Sequence, residues 1–221
     1  MLMKLTALKV NIIMTKVHIL ILNNMSFRKE DKLLINPYQI FDFKRWLVNN
    51  DAKQIFPARF INSLYFDNLL SQMFLDSEEG CVPRKKIRIR TYPKQEENKK
   101  INLEIKISSV EGRYKETNEI NNRKKNFYIK KGYFDKQYGI CFPKLNVSYL
   151  REYYLVFGIR VTIDTNIIYK KFKSDALFLR DEENIVEIKS NNSTPSDFLL
   201  NKFPLQKSRF SKYSRAHNKL Y

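Results

Sequence analysis

KKIRIRTY, residues 85–92, sets cationic side chains against branched aliphatic ones at alternate positions. Side chains of a strand point to opposite faces in turn, so Lys86, Arg88 and Arg90 share one side and Ile87 and Ile89 the other. INLEIKIS, residues 101–108, repeats the pattern, with Glu104 and Lys106 opposite Leu103, Ile105 and Ile107. In NIVEIKS, residues 184–190, Glu187 and Lys189 lie opposite Val186 and Ile188. RVTID adds Arg160, Thr162 and Asp164 on one face, SYLREYY adds Tyr149, Arg151 and Tyr153, and an R-x-E-x-K run supplies Arg28, Glu30 and Lys32.

One side of an ordinary antiparallel sheet is solvated, and charged faces are commonplace there. Here the strands are numerous enough to close around a common interior, with their apolar sides outward under helices. The sequence therefore predicts an α+β fold in which a closed antiparallel β-barrel, flanked by helices, surrounds a charged lumen. Such a lumen is costly when empty unless it is wet and takes an anionic occupant.

Composition points the same way. The 221 residues carry 41 Lys and Arg against 23 Asp and Glu, a net charge of +18, beyond what solubility requires. Nucleic acid, acidic lipid and polyphosphate all fit that charge, as does a plain solvated basic face. The carboxylates Glu30, Glu104, Asp164 and Glu187 separate these, because a groove that only tracks a nucleic-acid backbone gains nothing from them. A Mg²⁺ or Mn²⁺ ion bridging phosphate oxygens does need hard oxygen ligands among Lys and Arg. Nucleic acid is thus disfavoured as a partner. Only two cysteines and two histidines are present, which removes thiolate and imidazole metal sites and histidine triads. The cysteines are read as core residues in a reducing, cytoplasmic setting.

Residues 1–24 are apolar in part, but Lys4, Lys9, Asn11, Lys16 and His18 interrupt every window long enough to span a bilayer. No transmembrane segment or signal peptide is expected. The division predicted is an N-terminal extension, 1–24, and one folded domain, 25–221. The extension is an added strand or helix, or the product of an upstream start codon. Within the domain, Asn36 caps a helix that carries Pro37 in its first turn and Ile40, Phe43, Trp46 and Leu47 on one face. FINSLYF is a strand, followed by a short helix through Leu75 and a break at Gly80. Residues 94–100 form the turn of a hairpin, 115–125 a polar stretch, and Gly158 the joint between strands 147–157 and 159–168. From Thr194 onward the chain is helical or irregular.

At these same residues the sequence resembles the VTC domain, the polyphosphate polymerase domain of the vacuolar transporter chaperone complex, within the triphosphate tunnel metalloenzyme superfamily. The resemblance runs from about Phe27 to about Ala216. It rests on R-x-E-x-K at 28–32, SLYFDN at 63–68, KIRIRTY at 86–92, LEIK at 103–106, YLREYY at 149–154, RVTIDTNI at 160–167, VEIK at 186–189 and RFSKYSRA at 209–216, all in order.

The resemblance implies that Lys32, Arg88, Arg90, Lys106, Arg151, Lys189 and Lys212 grip phosphates along a tunnel. Lys115, Arg209 and Ser211 fall on further phosphate-contact positions, although Lys115 sits in a polar stretch where an exposed lysine is equally expected. Glu187, joined by Glu30, would hold the divalent metal. The implied reaction is transfer of the terminal phosphoryl group of ATP to a growing polyphosphate chain. A polyphosphate-binding accessory module and a tunnel-type triphosphatase are the alternatives. Arg28 stands where the hydrolase and cyclase branches carry the first Glu of E-x-E-x-K, which weakens the triphosphatase alternative. The SPX domain and membrane helices of the fungal proteins have no counterpart here, so coupling to transport would need a separate membrane partner.

Overall fold

Alternation of charged and apolar residues gives these segments two unlike faces, and the strands pair so that like faces line up. The structure, a computed structural model, describes residues 28–93, 100–174, 178–191, 201, 202, 205 and 207–221. The expectations for residues 1–24 and for turn residues 94–99 lie outside them. Among the described residues the strands are β1 (Arg28–Ile35), β2 (Lys53–Asp67), β3 (Arg84–Thr91), β4 (Ile101–Ser108), β5 (Arg113–Ile120), β6 (Tyr133–Asp135), β7 (Gly139–Val156), β8 (Ile159–Lys171), β9 (Phe178–Arg180) and β10 (Asn184–Asn191). The helices are α1 (Gln39–Asn49), α2 (Gln72–Glu79), α3 (Asn122–Lys131) and α4 (Lys212–Leu220).

All pairings are antiparallel, in the order β1-β10-β8-β7-β2-β3-β4-β5, with β6 on β7 and β9 on β8. The register places Arg88 opposite Glu104, Arg151 opposite Asp164 and Lys32 opposite Glu187, so the charged residues share the concave face. The apolar residues share the convex one. There α1 packs Phe43 and Leu47 against Leu33, Ile35, Val161, Ile163, Val186 and Ile188. Asn36 and Gln39 cap α1 reciprocally, each side chain accepting from the other's backbone N–H at 2.8 and 3.1 Å. Tyr128 and Ile129 of α3 pack on the cluster that holds Ile87, Ile89, Leu103 and Ile105.

Three features differ from the sequence expectation. The sheet is not closed among the described residues: β1 and β5 are its two edges and do not pair. The free edge of β1 is met instead by the C-terminal segment, with Leu33 bridging Lys207 and the Ser208 N–H donating to the Lys32 carbonyl at 2.7 Å. The polar stretch at 115–125, given no element from the sequence, is the rest of β5 and the start of α3. In β8, the two residues Asn166 and Ile167 stand against the single residue Tyr149 of β7, with Asn166 in left-handed backbone at φ 50°. This bulge shifts the alternation, so that Tyr169, opposite Val147, joins Asp164 on the concave side.

Helix α4 fills one end of that side. Tyr213 stacks on Tyr65 with ring centres 5.1 Å apart, and its hydroxyl donates to Asp67 at 2.5 Å. Asp67 also accepts from the backbone N–H groups of Met73 and Phe74 in the first turn of α2. One buried carboxylate thus fastens both helices to β2.

Candidate active site in the cationic tunnel

Beyond α4 the concave face encloses a cavity of about 470 Å³. Fourteen of its lining residues are Lys or Arg and two, Glu30 and Glu187, are carboxylates. All twelve residues singled out in the sequence line it: Glu30, Lys32, Arg88, Arg90, Lys106, Lys115, Arg151, Glu187, Lys189, Arg209, Ser211 and Lys212. Lys86 and Arg160, placed on the charged faces but given no role, line it as well, as do Arg84 and Arg113. The signal for Arg113 was its alternation with Lys115, which the polarity of the whole stretch obscured.

Two buried carboxylates order the cations. Glu104 takes Arg88 at 2.5 Å, Lys115 at 3.2 Å and Arg90 at 3.5 Å. Burial pushes its carboxyl up, but these three cations, Arg88 foremost, outweigh that and hold it far below the ordinary carboxylate range. Asp164 is gripped by Arg151 at 2.5 and 2.7 Å and by Lys212 at 2.5 Å. The aromatic face of Tyr149 lies under the Lys212 ammonium, 4.7 Å from the ring centre. Glu104 and Asp164 are fully engaged and serve to aim cations into the cavity.

Other cations rest on neutral groups. Lys32 donates to the Phe210 carbonyl at 2.9 Å, Lys86 to the Ser211 hydroxyl at 2.7 Å, and Arg209 to the Ser77 carbonyl at 2.5 Å. Ser211 also caps α4, accepting from the Ser214 N–H at 3.2 Å. Burial lowers the Lys32 ammonium from its usual range. It pushes Lys86 down to about 7, helped by Lys32 and Arg84, and Lys106 down to about 7, where Arg88 adds to it and Glu30 opposes. Cations held this far from their preferred charge state are ready to gain an anion.

Glu30 and Glu187 are the carboxylates that line the cavity itself. The Oε1 atom of Glu30 is buried without a hydrogen-bond partner, its cationic neighbours Lys106 and Lys189 both 4.0 Å away, whereas Oε1 of Glu187 is the atom that Lys189 contacts. Lys189 lies 2.7 Å from Glu187 and 4.0 Å from Glu30. Burial raises the Glu187 carboxyl, but Arg151 and then Lys189 hold it well below the ordinary range, so it is ionised at neutral pH. Two hard carboxylate donors on the wall of this cavity fit one divalent cation, provided Lys189 yields Oε1 of Glu187 to it; phosphate oxygens and water would supply the remaining ligands. No group of three or more His, Cys, Asp or Glu able to hold a metal by themselves occurs among the described residues.

Over residues 27–221 the sequence matches the family described as the VTC domain. The chain belongs to the VTC domain family. A comparison with curated proteins found no match. Among solved structures, this VTC domain is similar to a Bacillus halodurans protein provisionally assigned as an adenylate cyclase, with a TM-score of 0.58, 12% identity, and 86% of this chain and 98% of that one covered. A Vibrio parahaemolyticus protein with the same assignment gives 0.53 at 12% identity, covering 87% and 98%. A Hippeastrum protein, also assigned as a cyclase and described as having a dominant triphosphatase activity, gives 0.53 at 17% identity, covering 86% and 95%. At these identities the likeness is one of fold. No helix among the described residues is long and apolar enough to cross a membrane.

Proposed function

We propose that this VTC domain is a metal-dependent polyphosphate polymerase, which transfers the terminal phosphoryl group of ATP to the end of a polyphosphate chain inside the cationic tunnel. The observation that carries this reading is that two carboxylates, Glu30 and Glu187, line the same cavity as fourteen Lys and Arg side chains. A binding groove needs the cations alone.

In the reaction a terminal oxygen of the polyphosphate forms a bond to the γ-phosphorus, the bond from that phosphorus to the β,γ-bridging oxygen breaks, and ADP leaves. Charge spreads over the transferred group, so alignment and neutralisation do most of the work and no protein nucleophile is needed. Arg88 and Arg90, fixed by Glu104, and Arg151 and Lys212, fixed by Asp164, hold phosphate oxygens on opposite walls. Lys32, Lys106 and Lys189 neutralise charge between them, with Lys115, Arg209 and Ser211 extending the row towards its rim. Glu187 and Glu30 would hold Mn²⁺ or Mg²⁺, which supplies charge neutralisation at the phosphate oxygens.

The test is incubation of purified protein with ATP and Mn²⁺, following polyphosphate and ADP together, for wild type and Lys212→Ala. Polymer formed by wild type and lost in the variant supports the polymerase. ADP and free phosphate without polymer would indicate a triphosphatase.

One observation favours a second reading, a polyphosphate-binding module without turnover: the Lys189 ammonium already lies 2.7 Å from Glu187, where it competes with a metal. Tight tripolyphosphate binding that Glu187→Ala leaves unchanged, with no ADP released from ATP, would establish that reading instead.

A further inference from the structure

On the convex side, away from the tunnel, α3 carries a surface that the reaction does not use. Its ten residues include Arg123, Lys124, Lys125, Lys130 and Lys131 and no acid. Phe127 points to solvent at 58% exposure. Its neighbours on the helix surface, three and four residues away in each direction, are Lys124, Arg123, Lys130 and Lys131, so one exposed aromatic ring is framed by four cations.

The patch continues past the helix. Gly132, at φ 83°, ends α3 so close to β7 that a Cβ there would meet the Ile140 side chain at 2.6 Å. Ile140 stands directly opposite Phe134 in the β6–β7 pair, and the two are 52% and 69% exposed. Lys136 follows in the same turn. Of the carboxylates at its border, Asp135 is buried and held by Lys85 at 2.8 Å, which leaves Glu116, close enough to act on the Tyr133 hydroxyl.

A solvated basic face has no need of exposed Phe127, Phe134 and Ile140, and an apolar protein interface has no need of the lysine frame. We propose that α3 and the β6–β7 turn dock this domain on an anionic membrane surface, the lysines and Arg123 meeting acidic headgroups while the two phenylalanines and Ile140 enter the interfacial region. The domain then sits on the membrane by its convex side and keeps the tunnel free. This surface is independent of the proposed reaction.

The test is co-sedimentation of the full chain with phosphatidylcholine vesicles and with vesicles that also contain phosphatidylserine. Wild type is expected to partition onto the anionic vesicles only. Phe127→Ser with Phe134→Ser, and separately Lys124→Glu with Lys130→Glu and Lys131→Glu, should each lower that partition about tenfold or more. Both sets lie at exposed positions outside the tunnel, so tripolyphosphate binding, measured calorimetrically, should stay at the wild-type level and report intact folding. Saturating tripolyphosphate should leave the vesicle-bound fraction unchanged. Absence of binding, equal binding to both vesicle types, or release by tripolyphosphate would overturn the proposal. So would loss with the charge variant alone, which would assign the patch to plain electrostatics or to an acidic protein.

Discussion

Arg151 and Asp164 face each other directly across β7 and β8 and are joined at two points, 2.5 and 2.7 Å apart, with Asp164 fully buried beneath Arg151 and Lys212. Removing the charge from Asp164 leaves two buried cations without their shared counter-ion. Asp164→Asn is therefore expected to lose about 3–5 kcal/mol of stability, measured by urea unfolding. Tripolyphosphate, which brings negative charge to the same cations, should raise the melting temperature of the variant more than that of wild type. Equal shifts would mean that Arg151 and Lys212 do not meet the anion.

The low values of Lys86 and Lys106, each about 7, set a pH dependence with a definite sign. In the ligand-free protein both groups bind fewer protons than in the unfolded chain between about pH 7 and their ordinary 10.5. Their cost to folding is fully present below about 7 and fades as pH rises towards 10.5. A bound polyanion raises both values again, so binding takes up protons, and affinity falls as pH climbs from 7 to 9. Calorimetry of tripolyphosphate binding in buffers of different ionisation enthalpy measures this uptake. Lys106→Met should lower it, and a buffer-independent enthalpy at pH 8 would contradict the assignment.

Glu187 and Glu30 carry the metal part of the proposal. Glu187→Gln keeps shape and removes charge beside Lys189 and Arg151, so phosphate binding without metal should hold steady or tighten. Turnover with ATP should fall on the order of 100-fold or more, and the Mn²⁺ concentration for half activity should rise. Glu30→Gln should act in the same direction. Metal titrations of rate, set beside tripolyphosphate binding in chelator, separate the two effects.

The central strands were legible because each is half-buried, so its alternation records two environments at once. Arg88 against Ile89, Glu104 against Ile105 and Glu187 against Ile188 needed only the period of two. β5 escaped because most of its residues are exposed on an edge strand, and RYKETNEI offers no apolar alternation. α3 escaped for a related reason: none of its residues is fully buried, and its ring at Phe127 turns outward. The bulge at Asn166 lies in a run, DTNIIY, where either phase is plausible, and only the pairing with β7 shows the shift. Closure could not be read from strand number, because the edge of β1 is occupied by backbone at Lys207 and Ser208, a contact between distant and irregular segments. Lys212 on α4, with Arg209 and Ser211 just before it, was reached through the RFSKYSRA resemblance and not through periodicity.

The placement of Lys212 depends on Asp67, which lies outside the cavity. This buried carboxylate accepts from the Tyr213 hydroxyl at 2.5 Å and from the N–H groups of Met73 and Phe74 at 3.0 Å, so β2, α2 and α4 meet on one side chain. Tyr213→Phe keeps the stack on Tyr65 and removes one donor, an expected loss of about 1–2 kcal/mol. Asp67→Ala removes the whole junction and should cost more, freeing α4 to tilt and moving Lys212 away from Asp164. If Asp67 acts by positioning α4, the milder variant should reduce kcat for polymer formation while KM for ATP changes little, because in the proposed mechanism Lys32, Arg88 and Arg90 would still hold the nucleotide. A stability loss with kcat unchanged would show instead that the junction secures the helices without setting the reacting geometry.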